Sequence, residues 1–506
     1  MRFRAFLLSL GLWLAFADCD RERSASDSTL RILYSSDESS LQPGADNVPK
    51  FLVFSSLASY DSSEAWNCGQ SEPGLADRWE HSPDWRIWTI HLREDARWHD
   101  GIPVTAHDVV FTMNLWADPD VQHWAASSIE SATALDDHTV RIVYRRPSRE
   151  PLNGWDVFYP RHLLEDLDRK EFWTWDFWTH PLGSGPYRYV RHVPKTMMEF
   201  EADSNFFGGR PRIERVIVKW GGGNPVSELL GGSVDAVEAM SNPNDAARLA
   251  RDSRFRVYYS VLPAGVRIYW NIQSPLFREA PVRRAFTQAI DRPGLHQALS
   301  LPAGLPLTDG LYTDCQFERR QLVPPWPYDP EEAGRLLDEA GWQDEDRDGV
   351  REKEGIPLAF TLIAPSNWLQ ASAAAVFVQD QLRRVGARME VQSLDYTAVG
   401  ERFRGGEFEA AIWPTSAQFF GTGSPMGYDE PRVAALLKAA DSTVDPAAMD
   451  RIYREISGIV RRDLPTTFLY PKVDMHAARR ELQGIDPDDP GDLFMSLADL
   501  WWQEDR

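Results

Sequence analysis

The sequence predicts a mixed α/β protein whose strands and helices gather into about three α+β lobes. Three observations carry that prediction. At 506 residues the chain exceeds what one hydrophobic core organises, at roughly 100–200 residues per domain. Segments with a two-residue apolar period alternate irregularly with segments of helical period along the whole length. A hydrophobic share of 43% with 26% charged residues, and no internal repeat, describes a globular chain that needs no disulfide scaffold.

Taken in order, the chain opens on MRFR, an apolar run from Ala5 to Phe16 and an A-x-A ending at Ala17. These make an export signal over 1–17, too short to span a bilayer. Residues 18–27 form a polar tether. Cys19 stands where a bacterial lipoprotein carries its lipidated cysteine, but Asp18 occupies a position expected to be small, and cleavage after Ala17 fits better. Export makes a disulfide between Cys68 and Cys315 chemically accessible; two separate buried thiols fit the sequence equally well.

Thr29–Tyr34 and Arg86–Leu92 alternate as strands do, and Asp108–Trp116 has helical spacing. Met197–Phe200 and Ile213–Trp220 read as strands around a turn-rich stretch, followed by a short helix over Val226–Leu230 and a short strand at Val234–Ala236. The second half is more helical. Val282, Phe286 and Ile290 mark one helix face, and Asp329-Pro330 with Glu332 and a later Gly341 supplies start and stop signals for another. Helices over Ala371–Val385 and Ala447–Asp463 are separated by strands at Arg388–Gln392 and Glu409–Trp413, and Leu358–Ile363 is a strand before them.

The charge balance excludes one partner class. With 76 acidic against 54 basic residues, the net charge is −22, and no basic block offers a phosphate backbone a positive field. Nucleic acid is not a partner. The chain contains none of the phosphate-loop, dinucleotide-binding, nucleophile-elbow or H-E-x-x-H patterns. Asp344, Asp346 and Asp348 with Gly349 reproduce the first half of a calcium loop, with Glu352 near the place of the closing ligand but Gly355 in it. The stretch reads either as a solvated acidic turn or as a weak structural calcium site; no other cofactor is expected. The 20 tryptophans suit packing or a half-wet ligand wall. Trp173 and Trp175, with Trp178 after them, have a spacing that suits a strand or extended loop.

Leu75–Arg93, followed by Trp98–Val110, closely resembles the signature region of the extracellular solute-binding proteins of the dipeptide/oligopeptide class, family 5, which serve ABC importers. The likeness continues through Gly183–Tyr187, Gly231–Asp235, Trp270-Asn271 with Val282–Ala285 and Ala289–Arg292, Ala333–Trp342, Asp346–Gly355 and Gly427–Arg432. The resemblance implies a type II periplasmic-binding-protein-like fold, a Venus flytrap with an extra lobe. Lobe I would gather 28–65, 183–265 and 470–506, the extra lobe II would be 66–182, and 266–469 would be the closing lobe III.

It further implies binding with hinge closure rather than catalysis, outside the cytoplasm, by a monomer that delivers its solute to an inner-membrane permease with ATPase subunits. Peptide binders of this family hold the ligand's amino terminus with an aspartate in a G-W-x-x-D type segment. Here Trp413 matches and Ser416 stands at the aspartate's place, and a hydroxyl cannot offset an ammonium's desolvation as a carboxylate does. The ligand-site candidates are therefore Trp413, Ser416, Tyr269, Trp270, Asp46 and Asn47. A peptide or similar polar solute is expected, with an oligosaccharide as the alternative within binding. An exported hydrolase or an envelope sensor on the same cleft is the alternative from another class.

Overall fold

The computed structural model describes residues 28–34, 50–60, 71–121, 123–148, 157–221, 223–240, 242–311, 323–415, 420–421, 423–485 and 497–503. Strand β1 (Thr29–Tyr34) buries Leu30, Ile32 and Leu33, while Arg31 stays partly exposed and pairs with Asp235 at 3.4 Å; parallel neighbours flank it on both sides. Beyond it the chain forms a separate four-stranded sheet from β2 (Ala76–His81), β3 (Ile87–Leu92), β4 (Ile129–Asp136) and β5 (Thr139–Tyr144), in the order β2-β3-β5-β4. Trp88, Ile90 and Leu92 alternate inward along β3 and meet helix α1 (Ala106–Trp116) through Val109, Met113 and Trp116. Thr105 and Asp108 close a capping box at the start of α1, and the buried Asp108 also accepts the Arg161 N–H at 2.9 Å.

Two glycines explain how this unit docks. A Cβ on Gly183 would lie 1.8 Å from the Val53 carbonyl oxygen, and one on Gly185 would lie 2.6 Å from that of Leu52. His99 sits against the same backbone, with Nε2 3.0 Å from the Gly185 carbonyl and Nδ1 accepting from Gly183 N–H at 3.3 Å. The Trp98–Gly101 and Gly183–Tyr187 segments are thus two halves of one joint. Trp173 and Trp178 lie in two short 3₁₀ turns, Arg169–Thr174 and Asp176–Thr179, and Trp175 is the single residue between them, so the run is not one extended segment. Asp168 caps the first turn, and the Trp175 and Trp178 Nε1–H groups donate to the carbonyls of Asp168 and Phe172, so local hydrogen bonding overrides the i, i+2 spacing.

The chain then returns through β6 (Tyr187–Val193), β7 (Met197–Ala202), β8 (Arg215–Lys219), α2 (Pro225–Leu230), β9 (Ala236–Met240) and α3 (Pro243–Leu249). Strand β10 (Phe255–Trp270) leads into α4 (Ala280–Ala289), α5 (Arg292–Ala298) and α6 (Pro330–Glu339). Next come β11 (Ala359–Pro365), α7 (Leu369–Arg383), β12 (Arg388–Leu394), α8 (Tyr396–Gly405), β13 (Ala410–Thr415), α9 (Pro431–Ala440), α10 (Pro446–Asp463) and β14 (Thr466–Arg479). Asp329 caps α6 through Glu332 N–H at 2.9 Å, as its sequence signal requires, and the same Asx-Pro start opens α2, α3 and α10.

One ten-stranded sheet, in the order β12-β11-β13-β10-β14-β9-β1-β8-β7-β6, joins both halves of the molecule. Among the described residues only β10 and β14 belong to both, and they run antiparallel through residues 266 and 470. Their ladder is regular from Phe255↔Arg479 to Val261↔Val473, breaks, and resumes at Gly265↔Pro471. The break holds Pro263, and Pro471 is the residue at which the ladder resumes; neither has an N–H to give a ladder. Separate cores lie on either side of it. Leu30, Phe54, Tyr187 and Val216 belong to one, while Trp270, Phe286, Leu362 and Ala374 belong to another. Trp88, Trp98, Trp116, Trp175, Trp178, Trp220, Trp270 and Trp342 are all buried, so much of the tryptophan content is packing.

Candidate functional site

In open α/β sheets ligands lie in the crevice outside the carboxyl ends of the parallel strands, where strand order reverses. Here two such edges face the same crossing. β1, β8 and β9 are mutually parallel or share a parallel neighbour, and end at Tyr34, Lys219 and Met240. β11, β12 and β13 do the same and end at Pro365, Leu394 and Thr415. Met240 stands opposite Met475, and Thr415 stands opposite Gly265. The two sets therefore point their carboxyl ends at the β10/β14 break from opposite sides.

Trp413 lies two residues before the end of β13 and is half-buried. Its ring lies against Tyr396 (4.5 Å between centroids) and stacks on Phe403 (5.9 Å), both on α8, with Gly400 of the same helix against its edge. Tyr269 is on the same sheet face and meets Phe403 edge-on at 4.7 Å, but it is fully buried. Trp270, the next residue, points to the opposite face. There it packs on Phe277, Phe286 and Phe360 and donates its Nε1–H to Thr467 Oγ1 at 3.0 Å. Trp270 is corrected from ligand-wall candidate to core residue, because alternation along the strand turns it away from Trp413. Asp46, Asn47, Ser416, Cys19, Cys68 and Cys315 lie outside the described residues.

Two groups near the break were not singled out by the sequence. Arg267, directly opposite Trp413 in the ladder, is 0% exposed. Its guanidinium donates to Thr466 Oγ1 at 3.1 Å and to the Gly310 carbonyl at 2.7 Å, with the Phe468 ring 5.0 Å and the Phe420 ring 5.8 Å from its Cζ. Burial pushes its pKa down to about 10. The other group is Glu238, His476 and Ser260, contributed by three adjacent strands. Glu238 Oε1 is 2.9 Å from His476 Nδ1, and Ser260 Oγ is 2.9 Å from Nε2. The order of groups is that of a hydrolytic triad, and all three side chains are buried. This chain of polar contacts ties β9, β10 and β14 together beside the break.

The acidic turn is also formed. Asp344, Asp346 and Asp348 each offer a carboxylate oxygen within 4.8 Å of the others, and all are exposed. Asp344 accepts from Gly349 N–H, Asp346 from Asp348 N–H and Asp348 from Val350 N–H. Glu352 accepts from Glu345 N–H at 2.5 Å and from Asp346 N–H, both at Oε1, which ties it to the turn's own backbone. No helix among the described residues is long and apolar enough to cross a membrane.

Residues 70–428 match the family described as bacterial extracellular solute-binding proteins, family 5 Middle. The chain is 24% identical over 444 residues to the oligopeptide-binding protein AppA of Bacillus subtilis, covering 82% of this chain and 80% of that one. A solved structure of Bacillus subtilis AppA with a nonapeptide shares the fold at a TM-score of 0.74 and 21% identity, over 94% of this chain and 99% of that one. A structure of NikA from Brucella suis with Fe(III)-EDTA aligns at a TM-score of 0.82 and 20% identity, over 94% and 99% of the two chains.

Proposed function

This chain belongs to family 5 of the bacterial extracellular solute-binding proteins, and from that premise we propose that it captures a peptide or a similar medium-sized polar solute by closing about the β10/β14 break. The observation that carries the reading is the pair of strand edges converging on a two-strand crossing whose ladder is interrupted at Pro263 and resumes at Pro471. Two strands with a local break bend there at small cost, because few backbone hydrogen bonds change. A solute touching both edges stabilises the closed form by its difference in affinity for the two forms. The closed form then presents the solute to an inner-membrane permease with its ATPase subunits. The protein works as an extracytoplasmic monomer and is no enzyme; with cleavage at Cys19 it would carry a lipid anchor.

Relatives and fold neighbours described with oligopeptides, a nonapeptide and a metal–EDTA chelate support a polar solute of variable chemistry. An oligosaccharide is the second reading, favoured by the partial exposure of Trp413 and by Ser416 at the place of the peptide-anchoring aspartate. A thermal-shift screen of short peptides against oligosaccharides tests both, since a ligand at 100 times its Kd adds about 2.7 kcal/mol. Trp413→Ala should weaken the best ligand at least tenfold. An unchanged affinity would remove Trp413 from the site.

A further inference from the structure

We propose that an ion pair between Arg146 and Asp441 is a latch that favours the closed form before any solute is bound. The proposal rests on the hinge-closure reading and names a device that sets its equilibrium. Arg146 Nη1 lies 3.3 Å from Asp441 Oδ2, although the two residues are 295 positions apart. They stand on opposite sides of the β10/β14 break. Arg146 follows β5, and the backbone on either side of it is pinned. Arg145 N–H donates to the Ser128 carbonyl at 2.9 Å, and Ser148 N–H donates to that of Trp85 at 3.0 Å. This four-stranded unit is joined to the first half of the large sheet through Gly183, Gly185 and His99. Asp441 closes α9, whose Val433 and Leu436 share a core with Tyr269 and Ala411 beyond the break. Rotation about the break therefore changes the Arg146–Asp441 distance, while the other links just named stay within one half.

The surroundings of Asp441 give the pair its direction. A carboxylate at the carboxyl end of a helix meets the negative end of the dipole, which disfavours it. Asp441 occupies that place on α9, with Lys438 in the last turn and its own N–H bonded to the Leu437 carbonyl. Ser442 Oγ and Thr443 Oγ1 both donate to the Ala439 carbonyl, so the turn that carries the acid is held in place. Arg146 supplies, from across the molecule, the positive charge that this helix end favours. The two side chains are 68% and 59% exposed, so the pair is weak and is screened by salt. Weakness suits a latch on a protein that must both load and unload. The pair shifts the ratio of closed to open forms about two- to fivefold and traps neither. A bound solute leaves more slowly by the same factor, because opening has to break the pair as well.

The test reads the distance between the two halves in the full mature chain, with its native cysteines replaced by serine. Spin labels are placed at Ser131 and Ala435, exposed positions on β4 and α9. Pulsed electron resonance then gives the ratio of short to long distances, after bound solute has been dialysed away in urea and the chain refolded. In about 20 mM salt, Arg146→Glu and Asp441→Arg should each lower that ratio about two- to fivefold. The double variant should restore it. In about 1 M salt, where the screening length is about 3 Å, the wild type and the single variants should converge. Asp441→Arg should leave the unfolding midpoint unchanged or raised, since a cation suits that helix end, whereas a merely structural role for Asp441 would lower it. Circular dichroism establishes that each variant is folded, and the neutral Arg146→Gln decides the question if a reversal is not. A ratio that ignores the single reversals, or a double variant that does not restore it, overturns the proposal. If the protein as isolated carries a solute in that case, the latch falls and solute capture stands. If it carries none and every variant shows one fixed distance, both fall.

Discussion

Trp270→Ala separates packing from ligand contact at the most informative pair of neighbours in the chain. Trp270 is wholly buried among Phe277, Phe286 and Phe360, whose centroids lie 5.1, 5.5 and 6.0 Å away. Removing an indole from such a site loses its transfer free energy and leaves a cavity, together costing about 3–5 kcal/mol. The lost Nε1–H bond adds little, because Thr467 Oγ1 keeps its 2.7 Å contact with Thr287 Oγ1. At roughly 2–4 °C per kcal/mol for a unit of about 200 residues, the unfolding midpoint should fall by about 6–20 °C. Scanning fluorimetry with a urea titration reads this directly. Solute affinity at a temperature where the variant is folded should change less than threefold. A midpoint shift under about 2 °C together with a large loss of affinity would show that the indole faces the solute and that the strand alternation has been misread.

Gly183→Ala should be among the most disruptive small substitutions, since its methyl would overlap the Val53 carbonyl at 1.8 Å; a loss of at least about 3 kcal/mol is expected, and a midpoint within 2 °C of wild type would contradict the joint described here. Acid should destabilise the fold through its histidines: burial, with Lys50 nearby, lowers the His123 pKa to about 4, and burial also lowers that of His99. Because the unfolded chain then binds more protons, stability is fully present above about pH 6.5 and is lost as pH falls towards 4. His123→Gln should flatten that limb of the midpoint-against-pH curve, and an unaltered slope would rule His123 out. Excess EDTA should leave the midpoint unchanged, because backbone N–H bonds to Asp344, Asp346 and Asp348 already hold the turn; a fall reversed by calcium would establish the turn as a cation site.

Local signals in the sequence proved dependable where the chemistry is local. β1 spans the stretch that alternation predicts, and Asp329-Pro330 starts its helix where Asx capping places it. The family-like glycines make sense only in three dimensions, since the carbonyls that exclude a Cβ at Gly183 and Gly185 belong to Val53 and Leu52. In the tryptophan run the decisive spacing is Trp175 to Trp178, the i, i+3 pair that 3₁₀ turns bring together, and not the i, i+2 pair Trp173 and Trp175 that suits extended chain. Trp270 and Tyr269 were grouped as neighbours although a strand separates adjacent residues to opposite faces. Arg267 did leave a signal: a lone cation in the apolar run Val266–Trp270 of a doubly covered strand has nowhere exposed to go. Glu238, Ser260 and His476 left none, because only the strand order β10-β14-β9 brings them together.

Native mass spectrometry of the protein isolated without denaturation tests the central claim most directly. Capture of a polar solute predicts a 1:1 complex whose extra mass is a few hundred daltons and which releases an unaltered molecule on unfolding. A bare chain that no peptide or oligosaccharide stabilises, or a bound species that the protein converts into smaller products, would contradict it.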